Sequence, residues 1–203
     1  MIHLVAIVGS NSKKSTNRQL LQYMQSRYQF EARIDLMEIG DLPLFNKPDR
    51  QHIPERVREL AHIIQQADGV IISAPEYDHS VPAALSNALA WLSYGPYPLV
   101  NKPVLITGAS YGALGSSRAQ AHLRQILDSP EIKARIMPSS EFLLGHSLQA
   151  FDEDGQLIDA KQVARLDQLF ADFQIFIQLS HDLMQAQEEA GLRLGSDHQS
   201  KTN

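Results

Sequence analysis

The 203-residue chain has no cysteine. That absence removes disulfides, thiolate metal sites and thiolate nucleophiles together. Long apolar runs are missing too, and no stretch approaches the roughly 20 residues that a membrane-spanning helix requires. The opening segment, Met1-Ile2-His3-Leu4-Val5-Ala6-Ile7-Val8, lacks the basic stretch and the length of a secretory leader, so a cytoplasmic protein without a membrane partner is expected. Positive charge is in deficit: 18 Lys and Arg stand against 23 Asp and Glu, a formal net charge of −5, which argues against a general nucleic-acid partner.

What is present is ordinary globular material, 43% hydrophobic and 20% charged. The length fits one domain, expected over residues 1–190, followed by a polar, disordered tail over 191–203. Strand and helix patterns alternate along it. Leu4 to Val8 reads as a buried strand, and Asn17 to Tyr28 as a helix with Leu20, Leu21, Met24 and Tyr28 on one face. Ala32 to Leu36 is a second strand. Pro43, Pro48 and Pro54 punctuate a long connection, and Pro54 opens a helix carrying Val57, Leu60, Ala61 and Ile64. Gly69 to Ala74 is a third strand, Val81 to Leu92 a helix, Pro103 to Thr107 a fourth strand and Ser117 to Leu127 a helix. Glu141 to Leu144 supplies a fifth strand, and a long helix from about Ala160 to Gln187 closes the pattern.

Five strands alternating with helices imply an α/β fold, a parallel sheet covered on both faces. The order 2-1-3-4-5 is the flavodoxin-like doubly wound arrangement. In that order strands 1, 3 and 4 are neighbours, so the loops that follow them converge at the carboxyl edge of the sheet. Each of these loops carries a motif.

The first loop, Gly9-Ser10-Asn11-Ser12-Lys13-Lys14-Ser15-Thr16-Asn17, is rich in hydroxyls and enters a helix. Ser10, Ser15, Thr16 and Asn17 would add side-chain donors to the free N–H groups of the helix start, which suits a phosphate. The bland alternative is capping of that helix by Ser15 or Thr16. The second loop is Pro75-Glu76-Tyr77-Asp78-His79-Ser80. Tyr77 would flank a flat ring, Ser80 would cap the next helix with Pro82 in its first turn, and Glu76 would serve either as loop scaffolding or in chemistry. The third loop, Gly108 to Gly115, allows close backbone approach and positive φ at its glycines and places Ser110 and Tyr111 near a ligand. Arg118 lies at a helix start, where a cation is disfavoured unless an anionic ligand or a carboxylate offsets it.

These residues resemble the NAD(P)H-dependent FMN reductases of the flavodoxin-like superfamily, which include azo, quinone and chromate reductases. The resemblance rests on Gly9-Ser10 with Ser15, Asn17 and Arg18, on Pro75-Glu76-Tyr77-Asp78 with Ser80, Pro82, Asn87 and Trp91, and on Ser110-Tyr111-Gly112 with Gly115, Ala119 and Gln120. It implies bound FMN, with its phosphate on Ser10, Ser15, Thr16 and Asn17. The isoalloxazine would lie between Pro75, Glu76, Tyr77 and Asp78 on one side and Ser110, Tyr111 and Gly112 on the other.

The resemblance further implies NADPH or NADH as reductant and a small-molecule electron acceptor. The flavin would carry the chemistry, with no catalytic side chain and no metal. A homodimer or homotetramer is implied, with the helix from Val81 to Leu92 near the interface and Trp91 in the interface or the core. Two positions depart from the family pattern. Ser12 stands where Arg is frequent, leaving Lys13 or Lys14 to supply the charge, and Asp78 stands where Asn is frequent. The rival readings are a flavodoxin-type electron carrier, which would want a more acidic rim, and a non-catalytic flavin-binding sensor.

Overall fold

Every side chain from Leu4 to Val8 is fully buried, although successive residues point to opposite faces of the sheet. Helices on both sides of that sheet are the reason, and they explain why the strand reads as an unbroken apolar run. The computed structural model describes residues 1–138 and 140–191. Its elements are β1 (Ile2–Val8), α1 (Thr16–Arg27), β2 (Ala32–Met37), α2 (Glu55–Gln66), β3 (Gly69–Ser73), α3 (Ala83–Leu92), β4 (Pro103–Ala109), α4 (Ser117–Leu127), β5 (Arg135–Ile136), β6 (Phe142–Leu144) and α5 (Ala160–Glu189). The expected polar tail lies, from residue 192 onward, outside the described residues.

The strand order is β2-β1-β3-β4-β5 with β6 also on β4, and all pairings are parallel. The expected flavodoxin-like order therefore holds, with one correction. The edge beside β4 is divided between two short strands: Arg135–Ile136 pairs with Pro103–Val104, and Phe142–Leu144 pairs with Thr107–Ala109. The expected strand at Glu141–Leu144 is β6. Two residues are too few for β5 to show a period, and Pro138, which has no N–H to donate, follows it closely.

One face packs Leu4, Ala6, Val8, Ile71 and Leu105 against Leu20, Leu21 and Met24 of α1 and Leu166, Phe170, Phe173 and Ile177 of α5. The other packs Val5, Ile7, Val70, Ile72, Val104 and Ile106 beneath Leu60 and Ile64 of α2, Leu85 and Leu89 of α3, and Leu123 and Leu127 of α4. Full burial of each large apolar side chain contributes roughly 1.5–3 kcal/mol, so both layers hold the strand ends in register.

α1 is tied to α5 as well. Tyr28 stacks on Phe170 with centroids 3.8 Å apart, and Asp167 accepts hydrogen bonds from Arg27 Nε and Nη2 and from the Tyr28 hydroxyl. The long connection between β2 and α2 is pinned to α3. Trp91 Nε1 donates to Pro43 O at 2.7 Å, and Asn87 both donates to Pro43 O and accepts from Phe45 N. Trp91 is only 2% exposed and meets Phe45 edge-on, so within the chain it is a core residue.

Candidate functional site

The loops after β1, β3 and β4 enclose a cleft of about 520 Å³ at the carboxyl edge of the sheet, within the range of small-ligand sites. All eleven residues singled out from the sequence line it: Ser10, Ser15, Thr16, Asn17, Pro75, Glu76, Tyr77, Asp78, Ser110, Tyr111 and Gly112. Ser12, His79, Ala109, Ala113, Leu114 and Arg118 complete the lining.

The first loop is held from within. Gly9 N–H donates to Ser73 O at 2.9 Å, and a Cβ on Gly9 would stand 2.5 Å from that same oxygen, so only glycine brings the loop this close to β3. Arg18 donates to Ser12 O at 2.6 Å and pairs with Glu38, which fixes the far side. Ser15 is the N-cap of α1, its Oγ accepting from Arg18 N at 3.2 Å. The backbone N–H groups of Thr16 and Asn17, which follow the cap, have no partner among the described residues. A helix start with two free N–H groups opening onto a cleft favours an anion.

The side chain of Asn17 works differently from the expectation. Its Nδ2 donates to Ala109 O at 2.8 Å, and its Oδ1 accepts from Ser73 Oγ and Ala109 N, both at 2.9 Å. Asn17 thus fastens α1 to the ends of β3 and β4, and most of its amide is already engaged. Thr16 Oγ1 shares a hydrogen bond with Ser147 Oγ at 2.8 Å. Lys13 and Lys14 do not line the cleft. They face a neighbouring depression.

In the second loop, Tyr77 and Ser80 exchange both backbone hydrogen bonds, at 2.9 and 3.2 Å, around Asp78 and His79 at φ of 49° and 63°. Two central residues at positive φ mark a tight primed turn, and Asx residues tolerate that conformation. This gives a backbone reason for Asp at position 78. Tyr77 is half exposed over the cleft, its hydroxyl 3.5 Å from Ser10 Oγ. Ser80 does not cap the next helix. Its Oγ shares a hydrogen bond with His122 Nδ1 at 2.8 Å, and α3 begins at Ala83 behind Pro82.

Glu76 is scaffolding of a specific kind. Its Oε1 accepts from Arg118 Nε at 2.6 Å and meets Nη2 of the same guanidinium, while Oε2 accepts from Arg118 N at 3.1 Å and more weakly from Ala119 N. The carboxylate therefore caps α4 and neutralises the cation misplaced at its start. Burial opposes ionisation of Glu76, but the Arg118 guanidinium and the two backbone N–H groups outweigh it and hold the carboxyl below the usual range.

The third loop presents backbone to the cleft. Gly115 has φ +58°, and a Cβ there would come within 2.5 Å of the Leu143 carbonyl carbon, so glycine is required. Gly112 differs: a Cβ there would meet no protein atom within 4 Å, although the residue lines the cleft. Tyr111 and Leu114 stand exposed at the rim. Ser110 is fixed by its own hydroxyl donating to Gly112 O and by backbone bonds to Leu144 and Ser147.

These features fit a flavin mononucleotide: free N–H groups and hydroxyls at the start of α1, two tyrosines, open space over Gly112, and N–H groups of Glu76, Tyr111 and Gly112 that have no partner among the described residues. Ser147 has no sequence signal, since its partner Thr16 lies 131 residues away. His79, Ala113 and Leu114 belong to the motif loops and follow from loop position rather than residue type.

The sequence matches the NADPH-dependent FMN reductase family over residues 2–149. It is 57% identical over 183 residues to the NADH:(hydroxy)cinnamate reductase subunit CrdA of Vibrio ruber, covering 90% of this chain and 91% of that one. It is 41% identical to the NADH-dependent flavin reductase subunit 2 of Lactobacillus johnsonii (86% and 97% covered) and 37% identical to the quinone reductase of Escherichia coli (87% and 96% covered). Among solved structures, FerB of Paracoccus denitrificans, a flavoenzyme NAD(P)H:(acceptor) oxidoreductase, superposes with a TM-score of 0.76 at 28% identity, covering 90% of this chain and 98% of that one. The chain belongs to the NADPH-dependent FMN reductase family and is an oxidoreductase that uses FMN with a nicotinamide reductant.

Proposed function

We propose that the protein passes two electrons from NADH or NADPH to a small conjugated acceptor in a ping-pong cycle, the reductant leaving before the acceptor enters the same cleft. The observation that carries this reading is the single cleft formed by the loops after β1, β3 and β4, which is lined both by the start of α1 with its free N–H groups and by the exposed rings of Tyr77 and Tyr111. Bound FMN supplies the hydride chemistry.

The protein's own groups hold and orient it. The N–H groups of Thr16 and Asn17 and the hydroxyls of Ser10 and Ser15 receive the phosphate. Tyr77 and Tyr111 flank the ring and the entering partner, and Pro75, Asp78, Ser110 and Gly112 border it. The N–H groups of Glu76, Tyr111 and Gly112 stabilise negative charge at the ring's polar edge. The named relatives act, by their names, on flavin, quinone and (hydroxy)cinnamate, all flat conjugated molecules, and the acceptor here is of that class.

NADH serves at least as well as NADPH. Among the described residues Arg118 is the one Lys or Arg that lines the cleft, and Glu76 already engages it, which leaves little for a 2′-phosphate. Residues 1–190 act as one cytoplasmic domain, and the protein works as a homodimer or homotetramer.

The test is the visible spectrum of FMN-supplemented, desalted protein under anaerobic NADH. Bleaching by NADH and recovery on adding a quinone, with initial-rate lines parallel in double-reciprocal form, is the expected result. Retained flavin that neither NADH nor NADPH reduces would overturn the reading. Gly112→Val provides a site-specific control: its side chain has room in the fold but occupies the cleft, so FMN affinity should fall at least about tenfold with an unchanged melting temperature.

A further inference from the structure

A second depression, of about 720 Å³, adjoins the first and shares Ser15 and Thr16 with it. It continues from the end of the first cleft where the flavin phosphate is placed, running along α1 toward the turn at Asp152–Gly155. We propose that this second cleft receives an adenylate joined to the flavin phosphate, so that the protein accepts FAD as well as FMN. The proposal rests on the reading that a flavin phosphate lies at the start of α1.

The walls have the chemistry for it. Lys13 and Lys14 from the loop before α1 and Glu153 and Asp154 from the turn near residue 154 all line it, and none of the four is in an ion pair among the described residues. Arg18 also lines the cleft but is already paired with Glu38, so the two lysines are the cations open to a ligand. A pyrophosphate adds negative charge beyond the monophosphate, and two ammonium groups beside the helix start meet it. Carboxylates suit the donors of an unmodified ribose diol, as they do where a dinucleotide ribose is read by an acidic residue. They repel a 2′-phosphate. Gln19 and Gln22 offer paired donors and acceptors for a base edge.

The experiment is calorimetric titration of the flavin-free, full-length protein with FMN and with FAD. Wild type should bind FAD within about threefold of FMN. Lys13→Ala/Lys14→Ala should weaken FAD about tenfold or more while FMN stays within about twofold. A second variant, Glu153→Gln/Asp154→Asn, should weaken FAD and spare FMN.

Tight FMN with FAD at least about thirtyfold weaker would overturn the proposal and leave the FMN reading intact. Equal weakening of both flavins by the lysine variant would also overturn it, because the lysines would then serve the monophosphate. A variant that raises KM for NADH and leaves FAD affinity unchanged would assign the cleft to the nicotinamide dinucleotide instead. Binding of neither flavin would overturn the proposal together with the reading beneath it.

Discussion

Glu76 joins two segments that lie 42 residues apart, and its charge is used at both ends of the contact. Its carboxyl is held below the ordinary range in the folded protein, where burial is outweighed by the hydrogen bonds from Arg118 and Ala119. Stability from this group is therefore present above its unfolded pKa of about 4.3 and is lost as pH falls through the lower folded value. Glu76→Gln should cost about 1–3 kcal/mol at pH 7, because it leaves a charged donor poorly matched. The gap between variant and wild type should close as urea unfolding is repeated toward pH 3. A gap of constant size across that range would show that packing, and not charge, carries the effect. The type of residue at position 76 was legible in the sequence, as was the misplacement of Arg118. That each answers the other was not, since neither local pattern contains its partner.

At the scale of the elements, α1 and α3 each combine a packing face with an anchoring one. α1 buries Leu20, Leu21 and Met24 and sends Asn17 into the ends of β3 and β4. The helix start that faces the cleft is thereby locked to the strands beside it. α3 holds the long β2–α2 connection through Asn87 and Trp91. Trp91→Ala should cost about 3–5 kcal/mol, measured by urea unfolding. The same variant should speed exchange of the Phe45 amide, whose acceptor is the Asn87 side chain. Stability loss without faster exchange at Phe45 would show that the connection is held by something other than α3.

For the whole molecule, acid is the informative variable. Asp167 is held low chiefly by Arg27, against some burial. Asp35, where burial is the larger influence and opposes ionisation, is held low by hydrogen bonds from Arg33 and His3. Glu76 behaves in the same direction. All three bind fewer protons folded than unfolded below about pH 4, so unfolding takes up protons and stability falls as pH drops. The stability profile should be nearly flat from pH 7 to about 5 and fall steeply below 4. Asp167→Asn should lower the plateau and flatten the fall. A variant curve parallel to wild type through pH 3 would remove Asp167 from the account.

The sequence by itself determined the layering and the place of the site. Strand and helix periods are local, and alternation with a buried first strand admits few topologies. The order 2-1-3-4-5 brings three named loops to one edge, and all eleven residues chosen from those loops line the cleft. Only the tertiary structure decided what each residue does there. It turned Asn17 into a tie between strands, gave Thr16 a partner in Ser147, made Glu76 the cap of α4, moved Lys13 and Lys14 to a second cleft, and split the strand beside β4. The physical reason is the same for Asn17, Thr16 and Glu76. A hydrogen bond or an ion pair is made by two groups, and here the second group is supplied by a segment tens of residues away, which the fold alone brings into contact.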